Sequence, residues 1–289
     1  MAAPPLRSRR WFIALVALVV AGLAVGGIVW GQSRDGGSQQ VTASLSLPGA
    51  RASKVAGTWP TTTTTTTAPS TLDPATGLSI SGPIGPPWPD HFTAADAIVS
   101  NVALYEAPGK PVPTGRTLPN PTAEGFKLVF LVRKQKGNWL QVQINQRPNG
   151  ATAWVKSSDV AVRTVPNHIL IELGAKKLTV FHGEEPIFTA SVAPGKASSP
   201  TPTGAFYTDI LTRPSNPNGP YGPYQISVTG FSNVYESFGG GNGQIAIHGT
   251  NRPELIGQPA SHGCVRMNNE DISALIPLAR QGTPVVIVD

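Results

Sequence analysis

Cysteine is nearly missing from this chain: Cys264 is the only thiol in 289 residues. A single cysteine closes no intrachain disulfide, and in an oxidising compartment it points to intermolecular pairing, to a reactive role, or to a small buried hydrophobe. No cysteine directly follows the N-terminal apolar run, which excludes a lipoprotein anchor. Charge is absent from Trp11 to Trp30, and apolar side chains are scarce from Gln32 to Asp90. Each gap excludes something. An uncharged run of that length is no ordinary surface element, and the segment after it cannot bury a core.

Arg7, Arg9 and Arg10 precede the uncharged run. About 20 apolar residues cross a bilayer as a helix, and a cleaved signal peptide has a shorter apolar stretch followed by a small-residue site. No clear A-x-A site follows Trp30. The expectation is a cytoplasmic N-terminus over 1–10 and a transmembrane signal anchor over 11–31, with cleavage as the alternative. The arginines ahead of the span leave the rest of the chain outside the cell membrane. Residues 32–90, including Thr61 to Thr67, are rich in Thr, Pro, Gly and Ser. Such composition cannot offset its ordering entropy and predicts a disordered tether, with a reach on the order of 180 Å at ~3.1 Å per residue.

The net charge of +6 is unevenly spread. Residues 91–163 hold nine basic and four acidic side chains, and residues 164–289 hold seven and nine. An exported protein does not meet nucleic acid, so the basic middle segment points to an anionic envelope surface or to nothing more than solvated lysines.

Two folded regions follow, both read as mainly β. In 91–164, short β-prone runs cover Ala97 to Tyr105, Lys127 to Arg133, Trp139 to Ile144 and Thr152 to Val155. Lys136-Gly137-Asn138 reads as a hairpin turn, and Pro/Gly clusters at 108–121 and 147–150 mark other connections. The layout VALYEAPG, GNWLQVQI, TAWVKSSDV resembles a bacterial SH3-like small barrel. In 165–289, Ile169 to Leu173 and Lys177 to Phe181 predict a hairpin, followed by β-prone Pro186 to Val192, an irregular stretch 194–206, and short strands at Ile226 to Val228 and Gln244 to Ile247. One short helix is predicted from Asn269 through Ala279, split or kinked by Pro277, before a last strand at Pro284 to Val288.

The chemistry concentrates in IHGTNRPELIGQPASHGCVRM, residues 247–267, where His248 and His262 precede the lone thiol. A cysteine nucleophile needs a base or a positive environment to become a thiolate. His248 ends an apolar strand that can aim an imidazole, and Gly263 permits close backbone approach to a reacting carbonyl. Taken singly, each of these residues reads more readily as a satisfied structural side chain than as a catalytic one. Two histidines and a cysteine also suit zinc, but the spacing lacks a second C-x-x-C or H-x-x-x-H element, and zinc would consume the nucleophile.

As a whole, IHGT followed by SHGCVRM resembles the signature of the L,D-transpeptidases of the YkuD family. TPTGAF at 201–206 and the hairpin near 168–181 carry the same resemblance, which covers roughly residues 165–289. The resemblance implies a β-rich catalytic domain in which Cys264 is the nucleophile and His248 its base. It implies further that the Gly249 carbonyl supports that base, that His262, Gly263 and Cys264 line the oxyanion side, with the Gly263 and Cys264 amides able to form an oxyanion hole, and that Ser261 braces the loop. Arg266 matches the motif arginine and would hold a substrate carboxylate or make a structural ion pair. Some members carry serine after the base, so Gly249 removes that hydroxyl.

The implied reaction joins peptidoglycan tetrapeptide stems, as donor and acceptor, into 3→3 cross-links through a cysteine thioester with release of D-alanine. It needs no cofactor and no metal, and carbapenems typically acylate family members. The alternatives are an L,D-carboxypeptidase, a protein-to-wall transferase using the same site, or a non-catalytic wall-binding protein. A monomer is expected, with no nucleic-acid partner.

Overall fold

The computed structural model describes residues 72–73, 78–80, 85, 87–112 and 115–289, all within the compact unit Thr63–Asp289. The anchor expected at 11–31 and most of the tether expected at 32–90 lie outside the described residues. Among the described residues, no helix is long and apolar enough to cross a membrane.

Eleven strands occupy the first part of the described residues: β1 Leu72–Asp73, β2 Leu78–Ile80, β3 Phe92–Ala97, β4 Asn101–Ala103, β5 Tyr105–Ala107, β6 Lys110–Pro111, β7 Thr117–Pro119, β8 Val129–Lys136, β9 Trp139–Gln143, β10 Ala151–Lys156 and β11 Val160–Val165. Nine of them form one sheet, ordered β1-β2-β10-β9-β8-β3-β11 with β5 on β10 and β6 on β5, while β4 pairs with β7. The β8–β9 hairpin turns at Gly137, whose φ of 54° is the left-handed region that glycine enters without a Cβ penalty. The run expected as one strand from Ala97 to Tyr105 is instead broken into the end of β3, then β4 and the start of β5. Alternate residues of these strands, among them Val102, Phe130, Leu140, Val142 and Val155, converge in one apolar core with Leu104 from the link between β4 and β5.

Eight strands make the second sheet: β12 Asn167–Glu172, β13 Lys177–His182, β14 Glu185–Ser191, β15 Gly204–Thr212, β16 Gln225–Phe231, β17 Gln244–His248, β18 Val265–Arg266 and β19 Pro284–Val288. Their order is β14-β13-β12-β19-β15-β16-β17-β18. The β12–β19 and β17–β18 pairs are parallel. The nine-residue β15 was not foreseen, because Thr208 and Asp209 interrupt its apolar pattern. The one α-helix among the described residues, α1, covers Asn269–Leu275 and packs Ile272 and Leu275 onto this sheet. It stops short of Ala279 because Pro277 has no N–H to continue the ladder.

Buried polar bonds join the two sheets. The Gln143 side-chain amide donates to the Ala205 carbonyl at 2.7 Å, and the Tyr207 hydroxyl donates to the Val129 carbonyl at 3.1 Å. Beside them, His168 is fully buried and stacks on Phe181 and Trp88, with ring centroids 5.1 and 4.1 Å away.

Candidate active site

Strands β17 and β18 place the functional side chains. They pair in parallel with Ile247 opposite Val265 and His248 opposite Arg266. Successive side chains of a strand point to opposite faces. Ile247 and Val265 therefore enter the core, while His248, Cys264 and Arg266 share the other face and line one cleft of 910 Å³. Cys264 lies diagonally across from His248. Neighbouring strands are separated by about 4.8 Å, so the imidazole and the sulfur occupy the same stretch of cleft wall.

His248 is 3% exposed, and its Nδ1 lies 2.6 Å from the Gly249 carbonyl. A carbonyl only accepts, so Nδ1 carries the ring proton and Nε2 is left as the basic nitrogen. A side chain at Gly249 would have to displace its neighbours. A Cβ there would lie 2.4 Å from Asn269 Oδ1 and 3.0 Å from the Cα of Gly222. Asn269 Oδ1 in turn accepts the Thr250 amide at 2.8 Å, and the Tyr221 ring sits 5.0 Å from the imidazole.

The turn that presents Cys264 is braced from within and from below. The Ser261 hydroxyl donates to the Cys264 carbonyl and accepts the Gly263 amide at 3.0 Å. Gly263 has φ +121°, a conformation that side-chain-bearing residues avoid. The 194–201 loop runs beneath: the Pro194 carbonyl accepts the Ala260 and Ser261 amides, and the Lys196 amide donates to the Ser261 carbonyl. The Gly263 amide is thus committed to Ser261 rather than to the cleft. His262 is exposed and lies against Phe238, with centroids 5.3 Å apart.

Burial dominates the electrostatics. It lowers the His248 pKa to about 4, opposed by the Gly249 carbonyl and reinforced by Arg266. It raises the Cys264 thiol, against a backbone hydrogen bond at Ala246 and the Arg266 guanidinium. Both shifts favour a neutral thiol–imidazole pair at rest. The Nε of Arg266 is buried with no hydrogen-bond partner, while the residue itself lines the cleft. Among the described residues, no group of three His, Cys, Asp or Glu side chains is placed to hold a metal ion.

All seven residues singled out in the sequence thus fall on or directly behind one wall of one cleft. Sequence reasoning missed Gly222, Tyr221 and Asn269. The first two sit in the Gly/Pro-rich run Asn218 to Tyr224, a turn signal without a chemical one, and Asn269 reads only as a helix start. It also missed the opposite wall, where Leu118, Glu124 and Asn145 come from the first β region.

A strand-end histidine capped by the next carbonyl, beside a braced cysteine across a parallel strand pair, is an arrangement compatible with cysteine acyl transfer. Residues 166–287 match the YkuD family model, the L,D-transpeptidase catalytic domain. Bacillus subtilis YkuD is 40% identical over 124 residues, which cover 43% of this chain and 67% of that protein. Bacillus subtilis YqjB is 30% identical over 132 residues, covering 42% of this chain and 71% of that protein. The chain belongs to the YkuD family of L,D-transpeptidases. The solved structure of L,D-transpeptidase 3 from Mycobacterium tuberculosis aligns with 14% identity and a TM-score of 0.35, covering 50% of this chain and 76% of that one.

Proposed function

We propose that this L,D-transpeptidase forms 3→3 cross-links between peptidoglycan tetrapeptide stems, with Cys264 as nucleophile and His248 as general base. The observation that carries the reading is the commitment of His248 Nδ1 to the Gly249 carbonyl, on the cleft face shared with Cys264. Nε2 takes the thiol proton as sulfur attacks the carbonyl between the third-position diamino acid and the terminal D-alanine. The proton passes from Nε2 to the departing D-alanine nitrogen, and a thioester remains. The side-chain amine of a second stem then attacks the thioester and loses a proton to Nε2. Collapse forms the new amide, and the proton returns to the departing sulfur.

With the Gly263 amide held by Ser261, the oxyanion falls to the Cys264 amide, with His262 at the rim. Arg266, which lines the cleft, holds a stem carboxylate through its guanidinium. The thiol also takes carbapenems as donor mimics. Residues 91–164 act as an SH3-like module and 165–289 as the catalytic domain of a monomer. Residues 11–31 are the anchor that holds both outside the cell membrane. The tether expected over 32–90 is shorter at its C-terminal end, because Leu78–Ile80 pairs with β10 and Trp88 is buried against His168.

The test is incubation with a defined tetrapeptide donor, with and without an amine acceptor, read by intact mass. A thioester on Cys264, release of D-alanine and a cross-linked dimer support transpeptidation. Tripeptide alone, even with acceptor present, indicates a carboxypeptidase. No adduct on the wild-type chain, or an adduct surviving in Cys264→Ala, overturns the assignment.

A further inference from the structure

We infer that Arg147 and Asn149, which lie outside the segment matched to the family, are positioning residues for the cleft. They hold the loop from Ser232 to Gly243 against His262, and the inference rests on the function proposed above. The loop joins β16 to β17 and has little of its own to fix its position. Every residue from Asn233 to Asn242 is exposed except Tyr235, which is half-buried. Gly239, Gly240 and Gly243 adopt positive φ. Internal bonds close it, with Ser232 and Gly243 bonded at the base and Phe238 and Gly241 exchanging bonds at the tip. Such bonds give the loop a shape but do not aim it.

The aim comes from the first β region. The Arg147 guanidinium donates to the carbonyls of Ser232 at 3.0 Å, Tyr235 at 2.9 Å and Asn242 at 3.4 Å, gripping both ends of the loop. It also lies 4.9 Å over the Phe231 ring. Asn149 exchanges two bonds with the Phe231 backbone, at 2.9 and 2.8 Å, as the chain enters the loop. Gly243 is fitted to this arrangement: a Cβ there would lie 2.2 Å from the Tyr235 carbonyl oxygen and 3.0 Å from Arg147 Nη2. A planar fork with several fixed donors can bind three carbonyls from different directions, whereas a lysine ammonium on a flexible stem cannot hold the same geometry.

Held in this way, the loop sets Phe238 on the His262 ring at 5.3 Å and Tyr235 at 6.3 Å. His262 is otherwise exposed and stands two residues before Cys264. Phe238 and Gly239 to Gly241 also line the cleft. The first β region therefore works through Arg147, the loop and His262 to shape the donor's path to the thiol, in addition to any binding of wall material.

The experiment uses the full chain as wild type, Arg147→Lys, Asn149→Ala, Phe238→Ala and the double variant Arg147→Lys/Phe238→Ala. Backbone hydrogen exchange over 232–243 needs no substrate and should accelerate in Arg147→Lys and Asn149→Ala while that of 264–288 stays at wild type. Donor acylation of Cys264 should fall roughly 10- to 100-fold, the scale of a small misplacement at a reacting centre. The pH profile of iodoacetamide alkylation should not move. In the Phe238→Ala background, Arg147→Lys should add little further loss, because both act through one contact.

The inference is overturned by unchanged loop exchange, by faster exchange without loss of acylation, by additive losses in the double variant, or by a matching loss of iodoacetamide reactivity. A wild type that no tetrapeptide acylates defeats the proposed function instead, and the exchange data still decide whether the clamp exists.

Discussion

His248 and Gly249 are joined by a 2.6 Å bond from the ring Nδ1 to the carbonyl of the very next residue. That contact chooses the tautomer, and burial then keeps the ring neutral by lowering its pKa to about 4. The Cys264 thiol is shifted the opposite way, upward. Both shifts keep the proton on sulfur at neutral pH, and in the proposed mechanism it moves to Nε2 only as the donor is attacked.

The first prediction concerns pH. Donor acylation should persist as pH falls and be lost only as it passes through about 4, where His248 protonates. The alkylation midpoint of Cys264 with iodoacetamide should lie above that of a free thiol, ordinarily ~8.5. His248→Ala should slow acylation by roughly 10²–10⁴-fold. A midpoint below that of a free thiol would reveal a resting thiolate and refute the neutral pair.

Arg266 offers a test by sign. Its cation lowers both the thiol and the imidazole pKa. Arg266→Gln should therefore raise the alkylation midpoint further and move the acid limb of acylation to higher pH. A variant whose two limbs move apart, or stay in place, would remove Arg266 from the electrostatics of the pair.

Gly249→Ser should be poorly tolerated, because its Cβ would sit 2.4 Å from Asn269 Oδ1 and 3.0 Å from Gly222 Cα. Overpacking of this kind costs about 1–3 kcal/mol. Gly257→Ala is the comparison: at φ +86°, with nothing within 4 Å of the new Cβ, it carries only backbone strain. Thermal midpoints and donor acylation should separate the two, with only the Gly249 variant losing both. Wild-type acylation in Gly249→Ser would show that the seam to Gly222 opens at little cost.

His168 makes stability depend on acidity. Burial lowers its pKa from 6.5 to about 4, and neither ring nitrogen has a hydrogen-bond partner. The folded state thus binds fewer protons than the unfolded chain. Its stabilising effect is complete above about 6.5 and is lost progressively as pH falls from there to about 4. The difference by pH 4 is on the order of 3 kcal/mol. His168→Phe, which keeps an aromatic ring among Trp88, Phe92 and Phe181, should flatten the acid limb in urea titrations at several pH values. An unchanged limb would assign acid sensitivity elsewhere.

Much of the local structure was legible because its causes are local. Gly137 supplies the positive φ that the β8–β9 turn requires, and Pro277 ends α1 one turn earlier than apolar periodicity alone suggests. The near-continuous burial of β12, β13 and β19 reads directly from their runs of Ile, Leu and Val. β15 was illegible because Thr208 and Asp209 break its pattern, and both are buried only through partners on distant segments.

The sequence by itself determined the chemical types at the site and their spacing: one thiol, two histidines, and glycines where backbone must come close. It determined as well the short strands that could carry them, since turn preference and side-chain alternation act within a few residues. Only the tertiary structure decided that β17 and β18 pair in parallel, with His248 opposite Arg266 and diagonal to Cys264. It alone brought Gly222 against Gly249 and carried Arg147 to carbonyls 85 to 95 residues away. Such contacts form when two separately built sheets bury their faces and satisfy their polar groups against each other. No local period of the chain records a partner that far off.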